Sequence, residues 1–264
     1  MKENRLRHLL QERCPSISTR LSSAWPLITE AVGVTGHFDY IEFLAEYAPF
    51  SLNDLENIVR AAELHGMGSM VKVDFQNRGY VAQKAVGAGF QAVLFADHRT
   101  ADEVRESVKL LKPETPEDGG LFGYPTNRFQ GAEIGVSQMD HAQRLRDTVL
   151  CFMIEKKQAM EEIEEICSVP GVDMVQFGPS DFSLSSGWNR TEHAEECRQA
   201  ERRMIEVALR KGVQPRCEIQ NPGAAQYYID LGVRHFSLGD QISKLREFYL
   251  FEGEKMRAMT SSLK

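Results

Sequence analysis

The sequence predicts a single α/β domain, a (β/α)8 TIM barrel that takes in residues 1–264. Short apolar runs of strand type alternate with helical stretches of ten or more residues, which is the pattern of βα units around a parallel sheet. Eight such runs occur, and the 264 residues match the roughly 250 that this barrel needs. No linker rich in Pro, Gly or Ser divides the chain, so we expect one domain.

The individual elements follow from the spacing of the apolar residues. In chain order, the predicted strands are 17–23, 39–46, 68–74, 90–96, 149–155, 173–178, 214–220 and 234–239. Helical spacing lies between them, with Gly or Pro near many of the helix ends. The predicted helices are 52–64, 101–111, 157–167, 193–211 and 224–231.

Two regions stand apart from the repeating units. The stretch 112–146 has no regular pattern, and a loop this long is typical of a functional lid or a mobile segment. Residues 241–264 are predicted to form a C-terminal helical extension. Its crowded apolar side chains, among them Leu245, Phe248 and Phe251, require a partner surface, either the protein's own barrel or a second subunit.

The composition argues against several classes of function. The formal charge is −7 and the basic residues are spread along the chain, so we expect no binding to nucleic acid. No apolar stretch is long enough to span a membrane, and the first thirty residues lack a signal peptide, which predicts a cytoplasmic protein. The five cysteines are odd in number and contain no CxxC pair, so we interpret them as reduced thiols.

Alternation along the strands assigns charged side chains to the barrel lumen, because successive strand residues face opposite sides of a sheet. The predicted lumen charges are Arg20, Glu42, Glu46, Lys72, Glu155, Arg216 and Glu218. Buried charges must be paired, hydrated or bound to metal. Glu42 and Arg216 need not lie at the mouth, so they are either an ion pair in the lower layers of the barrel or part of the functional site. Glu46, Lys72 and Glu155 end their strands, where barrel enzymes build their active sites.

Two blocks of the sequence carry a family resemblance. FMIE ends the fifth predicted strand, and GVDMVQFGPSDFS takes in the sixth strand and the turn after it. With a weaker match that runs from about residue 17 to about residue 245, these blocks resemble the HpcH/HpaI aldolase family. That family comprises class II, metal-dependent pyruvate aldolases on a (β/α)8 barrel.

The resemblance implies a metal site and an adjoining substrate site. Glu155 and Asp181 match the metal-binding carboxylates of the family. The turn Gly178-Pro179-Ser180-Asp181 matches its substrate-binding turn, which offers the backbone N–H groups of Ser180 and Asp181 to a substrate carboxylate. By itself this turn can also be read as an ordinary one with an N-cap aspartate.

The chemistry of the two carboxylates agrees with the metal implied by the resemblance. Two carboxylates with no Cys or His pattern nearby suit a hard divalent cation that keeps open water positions, such as Mg²⁺ or Mn²⁺. Such a metal can chelate the keto and carboxylate oxygens of a 2-oxoacid and act as a Lewis acid that stabilises an enolate.

The segment EFLAEYAPF resembles the proton-transfer motif of the family but departs from it. Glu46 matches the motif, whereas Leu44 stands at the acid position and Tyr47 at the histidine position. Lys72 falls where the family has its enolate-stabilising arginine, and Gly87 falls where it has the aspartate that partners the histidine. The metal half of the site is therefore kept, and the proton-transfer half is replaced.

Several residues are candidates to replace the missing groups. Lys72 can supply positive charge to an enolate or carboxylate, as a point charge rather than a bidentate fork. Tyr47 is a candidate general acid or proton relay if a metal or Lys72 lowers its pKa, or else a side chain that lines the mouth. Arg20 stands where the family has an aromatic residue and can restore the lost guanidinium. Glu46 and Glu218 are candidate acids or bases, Glu218 at a position that is usually apolar in the family.

Two further segments hold polar groups near predicted strand ends. Asp97 and His98 follow the fourth strand and could compensate for the missing pair. Alternatively, Asp97 caps the helix that begins near Thr100, and His98 is a solvated loop residue. Arg78 is a candidate to bind a substrate carboxylate, with a surface role as the alternative.

We expect a divalent-metal-dependent carbon–carbon lyase that cleaves a 4-hydroxy-2-oxoacid to pyruvate and an aldehyde. The base would be a metal-bound water or one of Tyr47, Glu46 and Glu218. The alternatives are another enolate-type lyase on a related oxoacid, a decarboxylase or hydratase, or a barrel that binds metal and oxoacid without catalysis. The resemblance also implies a homo-oligomer based on dimers, with a hexamer as one arrangement, in which the C-terminal helix is exchanged between subunits.

Overall fold

Eight parallel strands close into a barrel in chain order, with the last strand paired to the first. The computed structural model describes residues 3–125, 128 and 135–263. The strands are β1 (Ser16–Leu21), β2 (Tyr40–Leu44), β3 (Gly68–Val73), β4 (Ala92–Phe95), β5 (Val149–Ile154), β6 (Met174–Phe177), β7 (Gln214–Ile219) and β8 (His235–Asp240). This closed parallel sheet confirms the predicted (β/α)8 TIM barrel.

Helices follow the strands around the outside of the barrel. Within the described residues they are α1 (Arg5–Gln11), α2 (Pro26–Gly33), α3 (Leu52–Leu64), α4 (Arg78–Ala88), α5 (Ala101–Leu111), α6 (Gln138–Arg146), α7 (Lys157–Glu161), α8 (Ile163–Ile166), α9 (Pro179–Ser185), α10 (Ala194–Lys211), α11 (Ala225–Asp230) and α12 (Gln241–Thr260). A short 3₁₀ turn, Pro222–Ala224, precedes α11.

Each predicted strand overlaps an observed one, and α3 and α5 have the predicted bounds. Both helices begin at capping boxes, in which the Ser51 or Thr100 hydroxyl and an acidic side chain three residues later satisfy the first N–H groups. The predicted helix 157–167 is instead two short helices that meet at Glu162.

The prediction of an irregular stretch over 112–146 is wrong at its C-terminal end. Helix α6 occupies Gln138–Arg146 and begins at a capping box formed by Ser137 and Asp140. This serine–aspartate spacing was visible in the sequence and marks a helix start. Residues 126–127 and 129–134 of the stretch lie outside the described residues.

Alternating strand residues build two apolar layers. Between the sheet and the helices lie side chains such as Phe43, Val71 and Phe152, whereas Met70 and Cys151 face the lumen. The strand faces assigned to these residues from the sequence are therefore correct. Because the helix-facing layer is mainly apolar, the charged lumen residues find their partners among other lumen side chains, as Arg216 does with Tyr40 and Gln176.

Helix α1 closes the end of the barrel where the strands begin. Leu6 is 1% exposed and packs into the lumen cluster with Tyr40. The Arg7 guanidinium donates two hydrogen bonds, of 2.7 and 2.8 Å, to the Asp173 carboxylate. Since this end is filled, a ligand must enter from the carboxyl ends of the strands.

The C-terminal helix α12 extends away from the barrel. It contacts the sheet at β1 and β8, and the structure records no buried residue along its 20 residues. Phe248, Leu250 and Phe251 are each about 60% exposed. Such an exposed hydrophobic surface is typical of a contact with another protein surface. Within the described part of the chain, no helix combines the length and apolar character needed to cross a bilayer.

Candidate active site

The carboxyl ends of the strands surround a cavity of about 490 Å³, a size typical of small-ligand sites. Its walls include most of the side chains predicted for the site: Arg20, Tyr47, Lys72, Glu155, Gly178, Pro179, Ser180, Asp181 and Glu218. Glu46 contacts Lys72, and Glu42 also borders the cavity. The folded chain thus brings together residues from six of the eight βα units.

Glu155 follows β5 and is buried, with 2% of its surface exposed. Its Oε1 accepts a hydrogen bond of 2.8 Å from the backbone N–H of Asp97, a residue held in the left-handed region at φ 64°. The opposite side is formed by Gly178, where a Cβ atom would lie 2.7 Å from Oε2. Burial, only partly opposed by Lys72, raises the pKa of Glu155 to about 7. The Glu155 carboxylate is therefore stabilised by any cation that enters the cavity.

Asp181 lies in the first turn of α9 and its side chain is 42% exposed. The negative charge of Asp181 also raises the pKa of Glu155, but by less than burial does. Lys156 Nζ lies 3.7 Å from Asp181 Oδ1 and 2.5 Å from Asp97 Oδ1. The two predicted metal-binding carboxylates thus line one cavity, with a lysine at its outer edge.

Lys72 ends β3 and is 6% exposed. Its Nζ lies 2.6 Å from Glu46 Oε2 and donates a hydrogen bond of 3.2 Å to the Tyr47 hydroxyl. Burial by itself lowers the pKa of a lysine, but the carboxylates of Glu155 and Glu46 outweigh it and raise the pKa of Lys72 above its ordinary value. Lys72 therefore carries a positive charge into the cavity.

Tyr47 differs from the expectation that Lys72 lowers its pKa. Burial of the hydroxyl outweighs the nearby ammonium and raises the pKa of Tyr47 to about 12. The phenol stays protonated at neutral pH, so it can donate a proton or a hydrogen bond but cannot serve as a base.

Arg20 and Glu218 form an ion pair on another side of the cavity. Arg20 Nη1 lies 2.7 Å from Glu218 Oε2, and Arg20 Nη2 lies 3.7 Å from Asp240 Oδ2. The other oxygen of Glu218 accepts a hydrogen bond of 2.7 Å from Gln176 Nε2. Burial raises the pKa of Glu218, although Arg20 opposes the shift.

Glu42 and Arg216 form the predicted ion pair below the cavity, and both side chains are fully buried. Arg216 also donates hydrogen bonds to the Tyr40 hydroxyl at 2.8 Å, to the Ser18 hydroxyl at 2.8 Å and to Gln176 Oε1. All three nitrogens of the guanidinium are therefore used by neighbouring side chains. This network has a structural role and forms the floor of the barrel lumen, below the cavity.

His98 lies outside the cavity, contrary to the expectation that it compensates for the missing pair. It is 1% exposed and packs between Phe95 and Phe152 on the helix side of the sheet. Nδ1 donates to the Ala96 carbonyl at 2.9 Å, and Nε2 accepts from the Ser107 hydroxyl at 2.6 Å. Burial lowers the pKa of His98 to about 4, so the imidazole is a neutral core group.

Of the alternatives left open for Asp97 and Arg78, the structure rules out helix capping by Asp97 and a place in the cavity for Arg78. Asp97 does not cap α5, because Thr100 does so, and its carboxylate pairs with Lys156 instead. Arg78 does not reach the cavity: Nε donates to Ser107 Oγ at 2.7 Å, and the guanidinium stacks on Phe75 at 4.0 Å.

Several polar residues of the cavity wall were missed from the sequence, among them Arg190, Arg198, Glu201 and Tyr228, and so was Lys156, which contacts Asp181 at the edge of the cavity. Lys156 directly follows the metal-binding candidate Glu155, which was a usable signal. Glu201 falls on the buried stripe of α10, four residues after Cys197 and three before Met204. A carboxylate at a core-facing helix position is rare without a function or a partner, so this signal was also present.

The model of the HpcH/HpaI aldolase/citrate lyase family matches residues 21–218, most of the barrel. The chain belongs to this family. It is an enzyme of the lyase class. The family assignment agrees with the two blocks that carried the resemblance in the sequence.

Characterised relatives of the family share modest identity with this chain. A 2-dehydro-3,6-dideoxy-6-sulfogluconate aldolase of Pseudomonas putida is 29% identical over 68% of this chain and 68% of its own length. A hydroxypyruvate/pyruvate aldolase of Paraburkholderia phytofirmans is 24% identical over 90% of this chain and 92% of its own. A family member from Burkholderia cenocepacia has the same fold, with a TM-score of 0.86 and 23% identity over 97% of this chain and 100% of its own.

Proposed function

We propose that the protein is a divalent-metal-dependent aldolase that cleaves a 4-hydroxy-2-oxoacid to pyruvate and an aldehyde. The observation that carries the proposal is the convergence of Glu155, Asp181 and Lys72 on one cavity at the mouth of the barrel. The names of the relatives support the substrate class, since a 2-dehydro-3-deoxy sugar acid is a 4-hydroxy-2-oxoacid.

The residues at the mouth fit a hard divalent cation. Glu155 is a buried carboxylate whose pKa is raised to about 7, and Gly178 leaves its Oε2 uncrowded. Within the described residues, no group of three or more His, Cys, Asp or Glu side chains is placed to enclose a metal. A two-carboxylate site suits Mg²⁺ or Mn²⁺, which keep water ligands and bind substrate oxygens at the remaining positions. Glu155 and Asp181 would hold the metal, which supplies Lewis-acid polarisation of the 2-oxo group when bound.

The chain's own residues orient the substrate. The first turn of α9 has N–H groups without an intrahelical acceptor, and those of Ser180 and Asp181 are suited to the substrate carboxylate. Lys72 holds a fixed positive charge beside Glu155, where the enolate oxygen develops its negative charge.

In the proposed cleavage, the C3–C4 bond breaks and its electron pair passes into C3 and the 2-oxo group as the pyruvate enolate. The C4 hydroxyl loses its proton to a base, which leaves an aldehyde, and C3 takes up a proton to complete pyruvate. Glu46 and Glu218 are the side-chain candidates for the base, because Tyr47 is already protonated at neutral pH. Tyr47 contacts Lys72 and is suited to donate a proton or a hydrogen bond at the same point.

The experiment is an assay of purified protein with a panel of 4-hydroxy-2-oxoacids, with pyruvate measured by a coupled dehydrogenase. We expect turnover with Mg²⁺ or Mn²⁺, its loss in EDTA, and its recovery when the metal is restored. Glu155→Gln should abolish turnover, since it removes the charge of a proposed metal ligand. Glu161→Gln is the matched control, because Glu161 is exposed on α7 outside the cavity. Metal-independent turnover, or products without pyruvate, would contradict the proposal.

We also propose that α12 packs against a second copy of the chain. The support is its exposed apolar surface, which includes Phe248 and Phe251, and its attachment to the barrel near β1 and β8. Sedimentation velocity should find an oligomer, and Phe248→Asp with Phe251→Asp should reduce its size. Val34→Asp, at an exposed apolar position on another face, should leave it unchanged. A monomeric wild-type protein would rule the packing out.

A further inference from the structure

One wall of the cavity is far more polar than an apolar substrate requires. It includes side chains from β1, β7, α10, α11 and the segment before α10: Arg20, Glu218, Glu201, Arg198, Tyr228 and Arg190. Two of these already have a role in the proposed function: Arg20 as a positive charge and Glu218 as a candidate base. Glu201, Tyr228 and Arg190 have no part in the steps of the proposed cleavage.

Glu201 is held in a fixed position at this wall. The Tyr228 hydroxyl lies 3.3 Å from Oε1 and 3.2 Å from Oε2 of Glu201. Burial raises the pKa of Glu201, and the neighbouring charge of Glu218 adds to the shift whereas Arg190 opposes it. One phenol proton cannot satisfy both oxygens of a carboxylate, so Glu201 keeps acceptor capacity toward the cavity.

Arg190 places a cation on the same wall. Its Nη1 donates to the Ser180 hydroxyl at 3.1 Å, and no described carboxylate lies within ion-pair distance of it. Arg20 places a second cation there, paired with Glu218 at 2.7 Å. The wall therefore presents donors and acceptors of both signs within a single cavity.

This mixture of charges selects among the groups that the substrate could place there. The Glu201 carboxylate disfavours an anion in contact with it and the Arg190 guanidinium disfavours a cation in contact with it, whereas Arg20 and Glu218 offset each other at 2.7 Å. An apolar group would exclude water from these charges without replacing its hydrogen bonds, which is costly. A hydroxyl both donates and accepts, so it can donate to Glu201 and accept from a guanidinium.

We propose that the aldehyde half of the substrate is hydroxylated and that Glu201 recognises one of its hydroxyl groups. This inference rests on the proposed aldolase function and specifies the substrate class of the same cavity. The reacting carbons lie with Glu155 and Lys72 on the β3–β6 side, and the aldehyde chain extends toward β7 and α10. Tyr228 is a positioning residue that orients the Glu201 carboxylate.

The test uses the aldol direction, in which pyruvate is condensed with glyceraldehyde or with propanal. Both aldehydes have three carbons, and only the first carries hydroxyl groups. We expect the wild-type enzyme to have the larger kcat/KM for glyceraldehyde. Glu201→Gln should lower the ratio of the two kcat/KM values about tenfold, because one charge-assisted hydrogen bond is lost. Glu206→Gln, on the exposed face of the same helix, is the matched control and should leave the ratio unchanged.

A second variant and a second readout keep the result interpretable if Glu201→Gln folds poorly. Tyr228→Phe removes the hydrogen bond that orients Glu201 and should lower the same ratio about threefold. Exchange of the pyruvate methyl hydrogens with D₂O, followed by NMR, needs no aldehyde, and its presence in a variant shows that the variant is folded and still forms the enolate. Absence of exchange in the wild-type enzyme would overturn the proposed function itself. Exchange at the normal rate, with no preference for glyceraldehyde or no change of the ratio in the variants, would overturn this inference alone.

Discussion

Two buried glutamates in the same barrel have opposite environments. Glu42, on β2, is ion-paired with Arg216, whose remaining donors are taken by Tyr40, Ser18 and Gln176. Glu155, after β5, has a single hydrogen bond from a backbone N–H, and burial raises its pKa to about 7. The floor of the lumen thus neutralises the charge of Glu42 by an ion pair, although the second carboxylate oxygen, Oε1, has no hydrogen-bond partner among the described residues.

The mouth of the barrel leaves its charges incompletely satisfied. Lys72 is near Glu155 but is also held by Glu46, and Asp181 adds further negative charge. A folded chain tolerates such an arrangement where a ligand or cation completes it. Glu42 and Glu155 are both buried carboxylates, but Glu42 belongs to a structural network and Glu155 to a site suited to chemistry.

The largest effect is expected where the closed floor is broken. Arg216→Met leaves Glu42 as an unpaired buried charge and should lower the free energy of unfolding by about 3–5 kcal/mol. Urea unfolding followed by circular dichroism measures the change. Adding Glu42→Met should recover much of the loss, whereas Arg202→Met, which removes an exposed pair with Glu206, should cause no measurable change. A stable Arg216→Met protein would contradict the structural role of the floor.

At the mouth, the corresponding change should affect catalysis rather than stability. Lys72→Met removes the positive charge beside the developing enolate and should lower kcat/KM about 100- to 1000-fold. Lys72→Arg keeps the charge and should retain more activity, and Lys84→Met on the exposed face of α4 should have no effect. Steady-state kinetics measure kcat/KM for each variant. A loss below about tenfold in Lys72→Met would show that another group stabilises the enolate.

The imidazole of His98 titrates in the packed layer between sheet and helices, away from the charged groups of the mouth. The pKa of His98 is about 4 in the folded protein, against 6.5 ordinarily, because burial and Arg78 oppose its charge more than the Ala96 carbonyl and Asp97 favour it. The unfolded chain therefore binds the proton more readily, and stability falls as the pH drops from 6.5 to 4. The shift corresponds to about 3 kcal/mol.

The variant His98→Gln should lose this part of the pH dependence. Its free energy of unfolding, measured in urea at several pH values, should fall about 3 kcal/mol less than that of the wild type over this range. His235, whose pKa is also lowered by burial, remains as an internal reference for the same slope. Parallel curves for the wild type and the variant would indicate that His98 is not a neutral core group.

The smallest effect is expected from a single methyl group at the mouth. In Gly178→Ala the added Cβ would lie 2.6 Å from Glu155 Cβ, so the carboxylate must shift. Affinity for Mn²⁺, measured by calorimetry, should fall about 10- to 100-fold, as it does when the orientation of metal ligands is disturbed. Gly253→Ala is the control, because nothing lies within 4 Å of a Cβ at that helical position. Unchanged affinity for Mn²⁺ would mean that Glu155 is not a ligand of the metal.

The sequence predicted the barrel because its strongest signals are local. Strand alternation placed Lys72 and Met70 on the lumen side and Val71 on the helix side, and periodicity gave the bounds of α3 and α5. Prediction failed where the outcome depended on neighbours distant in sequence. His98 and Asp97 were candidates either for a catalytic role or for a loop and capping role, but a packed aromatic shell holds His98, and a lysine 59 residues away pairs with Asp97.

The sequence by itself predicted the barrel and the charges of its lumen from periodicity, and through the family resemblance of two short motifs it predicted that Glu155 and Asp181 share one site. Only the tertiary structure decided how the charges are partnered. Glu42 and Arg216 are 174 residues apart, and Glu201 meets Tyr228 across two helices. Closure of the sheet sets these distances, and burial then raises or lowers each pKa. Neither effect can be read from residue order alone.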